Sequence, residues 1–230
     1  MRVGRDKGVG ATAPKAYRPS TLSSLLSFAL LLSALQGPPS HAQDVDLMRP
    51  KQHFSIEKPR VLEPAETMAI YQSVRKRMLA GYDRSQNPAI ADLGEWLHYN
   101  SAPYLSAAHG KRYVNNYANP LARAYSRYEA AGPMPVGAVL AKDSFTVTRT
   151  GEVFAGALFV MEKMPSGFNA ASHDWRYTMI MPDGSLFGMT KGEGSERVEF
   201  CITCHEAADD SHHQMFFVPQ QYRIEILNPQ

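Results

Sequence analysis

The sequence predicts an α+β fold, a mainly antiparallel β-sheet part preceded by an α-helical N-terminal part, and a change of period along the chain predicts it. Before residue 100 apolar residues recur at three- and four-residue spacing. After Pro135 the period shifts to two, with turn residues between the apolar runs. A chain of 230 residues can bury one sizeable core, and nothing in its length requires a second.

The elements follow in order. Residues 1–42 read as an export signal: basic residues Arg2, Arg5, Lys7, Lys15 and Arg18, an apolar run from Leu25 to Leu35, then Gly37-Pro38-Pro39 and a small-residue site ending at Ala42. The apolar run is too short to span a bilayer. Cleavage near Ala42 and a periplasmic location are the expectations; the alternative, given the long basic region, is an uncleaved membrane anchor. Residues 43–95 are expected as an extended and then helical segment, and 96–230 as the sheet part, forming one compact unit with it. Pro64 and Glu66 suit a first helical turn, and Met68, Tyr71, Val74 and Met78 share a face, which predicts a helix over 64–80. Weaker helical spacing covers 89–99. Leu121, Ala124, Tyr125 and Tyr128 predict a further helix over 120–131, stopped by Gly132-Pro133. The intervening 99–119 reads equally as an ordered loop or as a layer over the sheet. Val139, Ala141, Phe145 and Val147 then alternate, Thr150-Gly151 turns the chain and Val153 to Met161 returns. Trp175 to Met181 and Leu186 to Thr190 flank the turn Pro182-Asp183-Gly184-Ser185.

The formal net charge of +2 belongs largely to the export segment, whose five Lys/Arg and one Asp leave −2 for the rest. No Lys/Arg cluster in that remainder forms a nucleic-acid groove, so no nucleic-acid partner is expected. The two cysteines of the sequence stand three apart, in Cys201-Ile202-Thr203-Cys204-His205. This is the C-x-x-C-H arrangement, in which two thiols add to the vinyl groups of one haem and the next histidine reaches the iron. Cys201, Cys204 and His205 are therefore the expected attachment and ligand residues for a single covalent haem c, and an exported chain agrees with that chemistry. A structural zinc site would need a fourth ligand, for which His212 and His213 are candidates. A redox-active pair would be expected in a βαβ setting, whereas hairpins lie upstream here. A short-loop disulfide also fits the spacing.

Beyond that motif, the run Met134-Pro135-Val136-Gly137-Ala138-Val139-Leu140-Ala141-Lys142-Asp143, the segment Asp174-Trp175-Arg176-Tyr177 and Met215-Phe216 after the cysteines resemble the cytochrome P-460 family, over roughly residues 95 to 225. The resemblance implies a mainly antiparallel β haem domain, usually homodimeric, with a five-coordinate haem and an open distal face. In hydroxylamine-oxidising members a lysine of the G-x-V-x-x-K run is joined covalently to the porphyrin, and Lys142 stands at that position. Such a lysine must be neutral to form the bond, which calls for burial; the alternative is an ordinary lysine on an edge strand. Where those members carry a distal carboxylate, the resemblance places Phe159, with Glu162 three along and so on the opposite face of a regular strand. A phenylalanine there is more like the related cytochromes c′-β, which bind small gases.

The function expected is thus binding or oxidation of a small nitrogen species such as hydroxylamine or nitric oxide, with a redox partner protein for the oxidation. The rival readings are a six-coordinate electron-transfer cytochrome, with Met179, Met181, Met189 or Met215 as the second axial ligand, and a non-catalytic nitric oxide binder. Asp143, Glu162, Asp174 and His173 are candidate proton acceptors, His109 and His98 histidines that could approach the haem, and Arg112 and Arg176 candidate partners for its propionates.

Overall fold

A computed structural model describes residues 58–225, so the export segment and its cleavage site lie outside the described residues. Helix α1 spans Pro64–Asp83, slightly longer than its spacing predicts. Proline opens the helix, where a missing N–H costs nothing, and the Glu66 side chain accepts the Glu63 backbone N–H at 3.1 Å. Thr67, Tyr71, Val74, Met78 and Tyr82 form its buried stripe.

The next two expected helices are corrected. Residues 88–95 form two single 3-10 turns, Pro88–Ile90 and Leu93–Glu95, and the chain then enters strand β1, Leu97–His98. Proline and Gly94 interrupt what the spacing alone would continue. Pro120–Ala130 is a broken run of 3-10 turns, with non-helical backbone at Ala122 (φ −93) and Tyr128 (φ 51). With three residues per turn, Ala122 and Tyr125 line up and are buried, while Leu121, expected on the buried face, is exposed.

The undecided segment supplies strands β2, Tyr104–Ser106, and β3, Arg112–Ala118. All seven β3 residues are buried. A strand covered on both faces shows no alternation in its sequence, which is why the spacing left it open. Strands β4 (Val139–Val147), β5 (Val153–Ala155), β6 (Leu158–Lys163), β7 (Trp175–Ile180) and β8 (Leu186–Met189) complete an eight-stranded sheet. Its order is β1-β3-β4-β6-β7-β8, with β2 beside β3 and β5 beside β4, every pair antiparallel. The strand returning from the β4 turn is split into β5 and β6 around Gly156, where a Cβ would stand 2.2 Å from Ser144 Oγ.

Register sorts the side chains onto two faces. Directly paired residues share a face, so Asn116, Lys142, Phe159 and Met179 form one row across β3, β4, β6 and β7. Tyr117, Ala141, Val160 and Thr178 form the neighbouring row on the opposite face. The second face packs against α1 in a core that includes Tyr71, Met78, Tyr82, Phe145, Leu158 and Ile180. The first is covered by the C-terminal part of the chain, including the short helix α2, Glu199–His205.

Candidate haem site

Helix α2 is only seven residues long, yet it places the whole motif. Cys201 and Cys204 are three apart and Cys201 and His205 four apart, so the thiols and imidazole share one side of the helix. All three line one pocket, of about 800 Å³ counted out to its open mouth, together with Lys142, Phe159 and His109. Most of the remaining wall is apolar or aromatic, including Leu140, Met161, Phe200 and Phe216.

Both cysteines are free thiols, Cys201 half-buried and Cys204 exposed. Burial, with Cys204 close by, pushes the Cys201 thiol up to about 12. His205 is 7% exposed, and burial lowers its pKa to about 4, helped by the Lys142 charge. It is therefore a neutral imidazole, the form that binds a metal. Its Nδ1 lies 2.7 Å from the Gln214 backbone oxygen; donation there leaves Nε2 as the coordinating nitrogen. The ring packs on Tyr177 and Phe216, with centroids 5.1 and 5.2 Å away.

The carbonyl that receives the His205 N–H is held from several sides. His213 and Gln214 both have left-handed backbone, φ 50 and 62. The Trp175 indole donates to the His213 oxygen at 2.9 Å, the Tyr177 hydroxyl to Gln214 Oε1 at 3.2 Å, and Gln214 Nε2 to the Ala171 oxygen at 2.8 Å. Sequence reasoning named no acceptor for this histidine. A backbone carbonyl carries no residue signature, and the one available clue was the Trp175 and Tyr177 pair two residues apart on a strand.

The residues present fit a covalently held haem: two thiols and a neutral imidazole on one helix side, opening into a mainly apolar pocket. Zinc is not favoured by the arrangement. Among the described residues no three His, Cys, Asp or Glu side chains gather as a metal site, and His212 instead packs edge-on to Phe217 at 5.2 Å.

Lys142 and Phe159 are direct cross-strand partners and both line the pocket. Burial lowers the Lys142 ammonium to about 8, toward its neutral form. Glu162 pairs with Val139, on the opposite face from Phe159 as the alternation expects, and it forms an ion pair with Arg176. None of the candidate acceptors Asp143, Glu162, Asp174 and His173 lines the pocket. Asp143 lies on the α1 face, where Tyr71 donates to it at 2.5 Å and Asn115 at 2.8 Å. The Asp174 carboxylate accepts the Asn169 backbone N–H at 2.9 Å. His98 is also on the α1 side, stacked on Tyr117 at 5.1 Å with Nε2 3.0 Å from Asn115 Oδ1. Arg112 is buried near Gly156, outside the pocket lining. Met179, Met181, Met189 and Met215 do not line the pocket either, whereas Met161, which sequence reasoning did not single out, does.

The family model for cytochrome P460 matches residues 95–217, from just before β1 to the segment that packs on His205. No curated protein matches the chain. Helix α1 lies outside the matched region.

Proposed function

The chain belongs to the cytochrome P460 family, and from that premise we propose that its single haem c is five-coordinate and binds or oxidises a small nitrogen species, such as hydroxylamine or nitric oxide, at the open position. The observation that carries this reading is the pocket wall: Phe159 and Lys142 stand side by side on the sheet, and no Asp or Glu lines the space. A largely apolar wall without carboxylates favours a small ligand over a bulky polar metabolite. A haem held there supplies an iron with a vacant coordination position and a one-electron couple.

The chain's own residues divide the work. Cys201 and Cys204 anchor the group, and His205 holds it from one side with its second nitrogen committed to Gln214. Phe159, Phe200 and Leu140 exclude water and limit the size of what enters. Lys142 offers a partly neutral amine to the same space. If it is joined to a porphyrin carbon, one N–H and one C–H are replaced by a C–N bond. Two protons are released, and an oxidant of the dioxygen or peroxide class takes up two electrons. The reading includes export to the periplasm on the strength of residues 1–42, a redox partner protein for oxidation, and a homodimer in line with the family resemblance.

Optical spectra of the exported, haem-loaded protein, oxidised and reduced, together with its intact mass, test the proposal. A high-spin, five-coordinate spectrum supports it. A red-shifted Soret band with a mass two hydrogens below simple double attachment adds the Lys142 bond, and Lys142→Ala then returns the band to that of an ordinary c-type haem. A low-spin six-coordinate spectrum overturns the open position in favour of electron transfer.

A further inference from the structure

His205 gives its Nδ1–H to a backbone carbonyl, and a carbonyl is aimed only by what holds the backbone around it. Gln214 aims its own. It is 4% exposed and uses both ends of its side-chain amide, Oε1 accepting from the Tyr177 hydroxyl at 3.2 Å and Nε2 donating to the Ala171 oxygen at 2.8 Å. Ala171 belongs to the 3-10 turn Ala170–Ser172 that leads into β7, and Tyr177 lies on β7 itself. The side chain is therefore tied at both ends to the arm of an interior strand, between β6 and β8.

One residue back, the His213 oxygen accepts from the indole of Trp175, two residues from Tyr177 and on the same face of β7. These anchors hold two successive non-glycine residues in left-handed backbone, which a fold keeps only where its surroundings impose it. What the strained pair achieves is the direction of one oxygen, 2.7 Å from His205 Nδ1. The kind of acceptor matters as well. A carboxylate would draw the Nδ1 proton toward itself and give iron an imidazolate-like ligand that stabilises the ferric state, whereas a neutral carbonyl raises the donation less. No Asp or Glu lines the pocket, and the charge acting on His205 is the Lys142 ammonium.

We propose that Gln214 is the positioning residue of the haem ligand: its doubly anchored side chain fixes the carbonyl that receives the His205 N–H, and thereby sets how strongly His205 donates to iron and where the reduction potential of the haem lies. This deepens the reading above, because that couple governs both oxidation at the open position and the hold on a diatomic ligand. It rests on His205 as the iron ligand of that reading, and not on the sixth position being open.

The test compares haem-loaded wild type with Tyr177→Phe, which removes one hydroxyl, and Gln214→Met, which keeps the side-chain length and removes both anchors. Each is checked for haem content and stability. The hydrogen bond is read from the His205 Nδ1–H proton, resolved by its paramagnetic shift in low-spin ferric protein, as the cyanide adduct or with a protein ligand in the sixth position. Gln214 also lines a surface hollow with His173, Glu206 and Asp210, so solvent reaches that proton once the carbonyl loosens. Its exchange with deuterium should be about tenfold faster in Gln214→Met, the opening expected from losing a buried hydrogen bond, and less accelerated in Tyr177→Phe. In the same order the iron–histidine stretch of the five-coordinate ferrous protein should move to lower frequency and the reduction potential should rise. Lowered stability with wild-type exchange and potential in both variants makes Gln214 structural alone and overturns the proposal. If Gln214→Met fails to load haem, Tyr177→Phe decides by the same two readings, since its ring still packs on His205. A wild type that is six-coordinate without added ligand overturns the open-position reading, while the proton exchange still decides Gln214.

Discussion

Lys142 and Asp143 are neighbours on β4, yet they belong to opposite faces of the sheet and meet different fates. Lys142 faces the haem pocket beside Phe159, where space is left for a cofactor. Asp143 is fully buried under α1, hydrogen-bonded by Tyr71 and Asn115, and Tyr71 in turn shares a hydrogen bond with Tyr117. Burial pushes each toward its neutral form, Lys142 down to about 8 and Asp143 up to about 6 despite three donors around it. One face uses desolvation to bring an amine at the pocket wall toward its neutral form. The other uses it in a closed network that ties α1, which lies outside the family-matched region, to the strand carrying Lys142. The comparison teaches that this sheet separates stability from chemistry by residue parity.

That separation can be broken from either side. The largest effect belongs to the haem face: Cys201→Ala or Cys204→Ala should abolish double attachment, read by intact mass and by the haem absorption under denaturing conditions. Normal yields of doubly attached haem in either variant would end the assignment. On the α1 face, Met78→Ala removes a side chain that is 0% exposed and should cost about 2–5 kcal/mol in denaturant unfolding while leaving the Soret band in place. If the spectrum shifts with it, the two faces are not independent.

The Asp143 network makes a pH prediction. The pKa is 3.8 ordinarily and about 6 in the folded chain, so between those values the folded state binds more protons than the unfolded. Stability should therefore fall as the pH rises from about 4 to 6, by about 3 kcal/mol, and level off above that. In Asp143→Asn that component of the slope should vanish; an unchanged profile in urea titrations would show that the carboxyl does not carry it. The smallest expected effect is that of Tyr71→Phe, which leaves the buried acceptor one donor short at about 1–3 kcal/mol, with the pocket spectrum unaltered.

Parity was legible before the structure where one face alternated. The alternation of Val139, Ala141, Phe145 and Val147 on β4 already put Lys142 on the other face, and the three-residue step on β6 put Glu162 opposite Phe159. It was not legible in β3, whose residues are all buried, and so the pairing of Asn116 with Lys142 and the docking of Tyr71 on Asp143 had no signature in spacing. The 3-10 run at 120–130 was missed for a related reason: a few turns of apolar spacing fit periods of 3.0 and 3.6 almost equally, and the packing of Tyr125 against Phe217 chose between them.

By itself the sequence determined the haem motif, the α1 stripe, the hairpins of the second half and the α+β class, because each is written in spacings shorter than a dozen residues. Only the tertiary structure decided which groups meet around the pocket. It brought His109 from a turn to Phe159, turned the Gln214 carbonyl to His205, and sent the candidate carboxylates elsewhere. Those meetings join residues tens of positions apart, or depend on a backbone carbonyl that every residue type carries. Local periodicity therefore holds no record of them, and strand register and burial settle them.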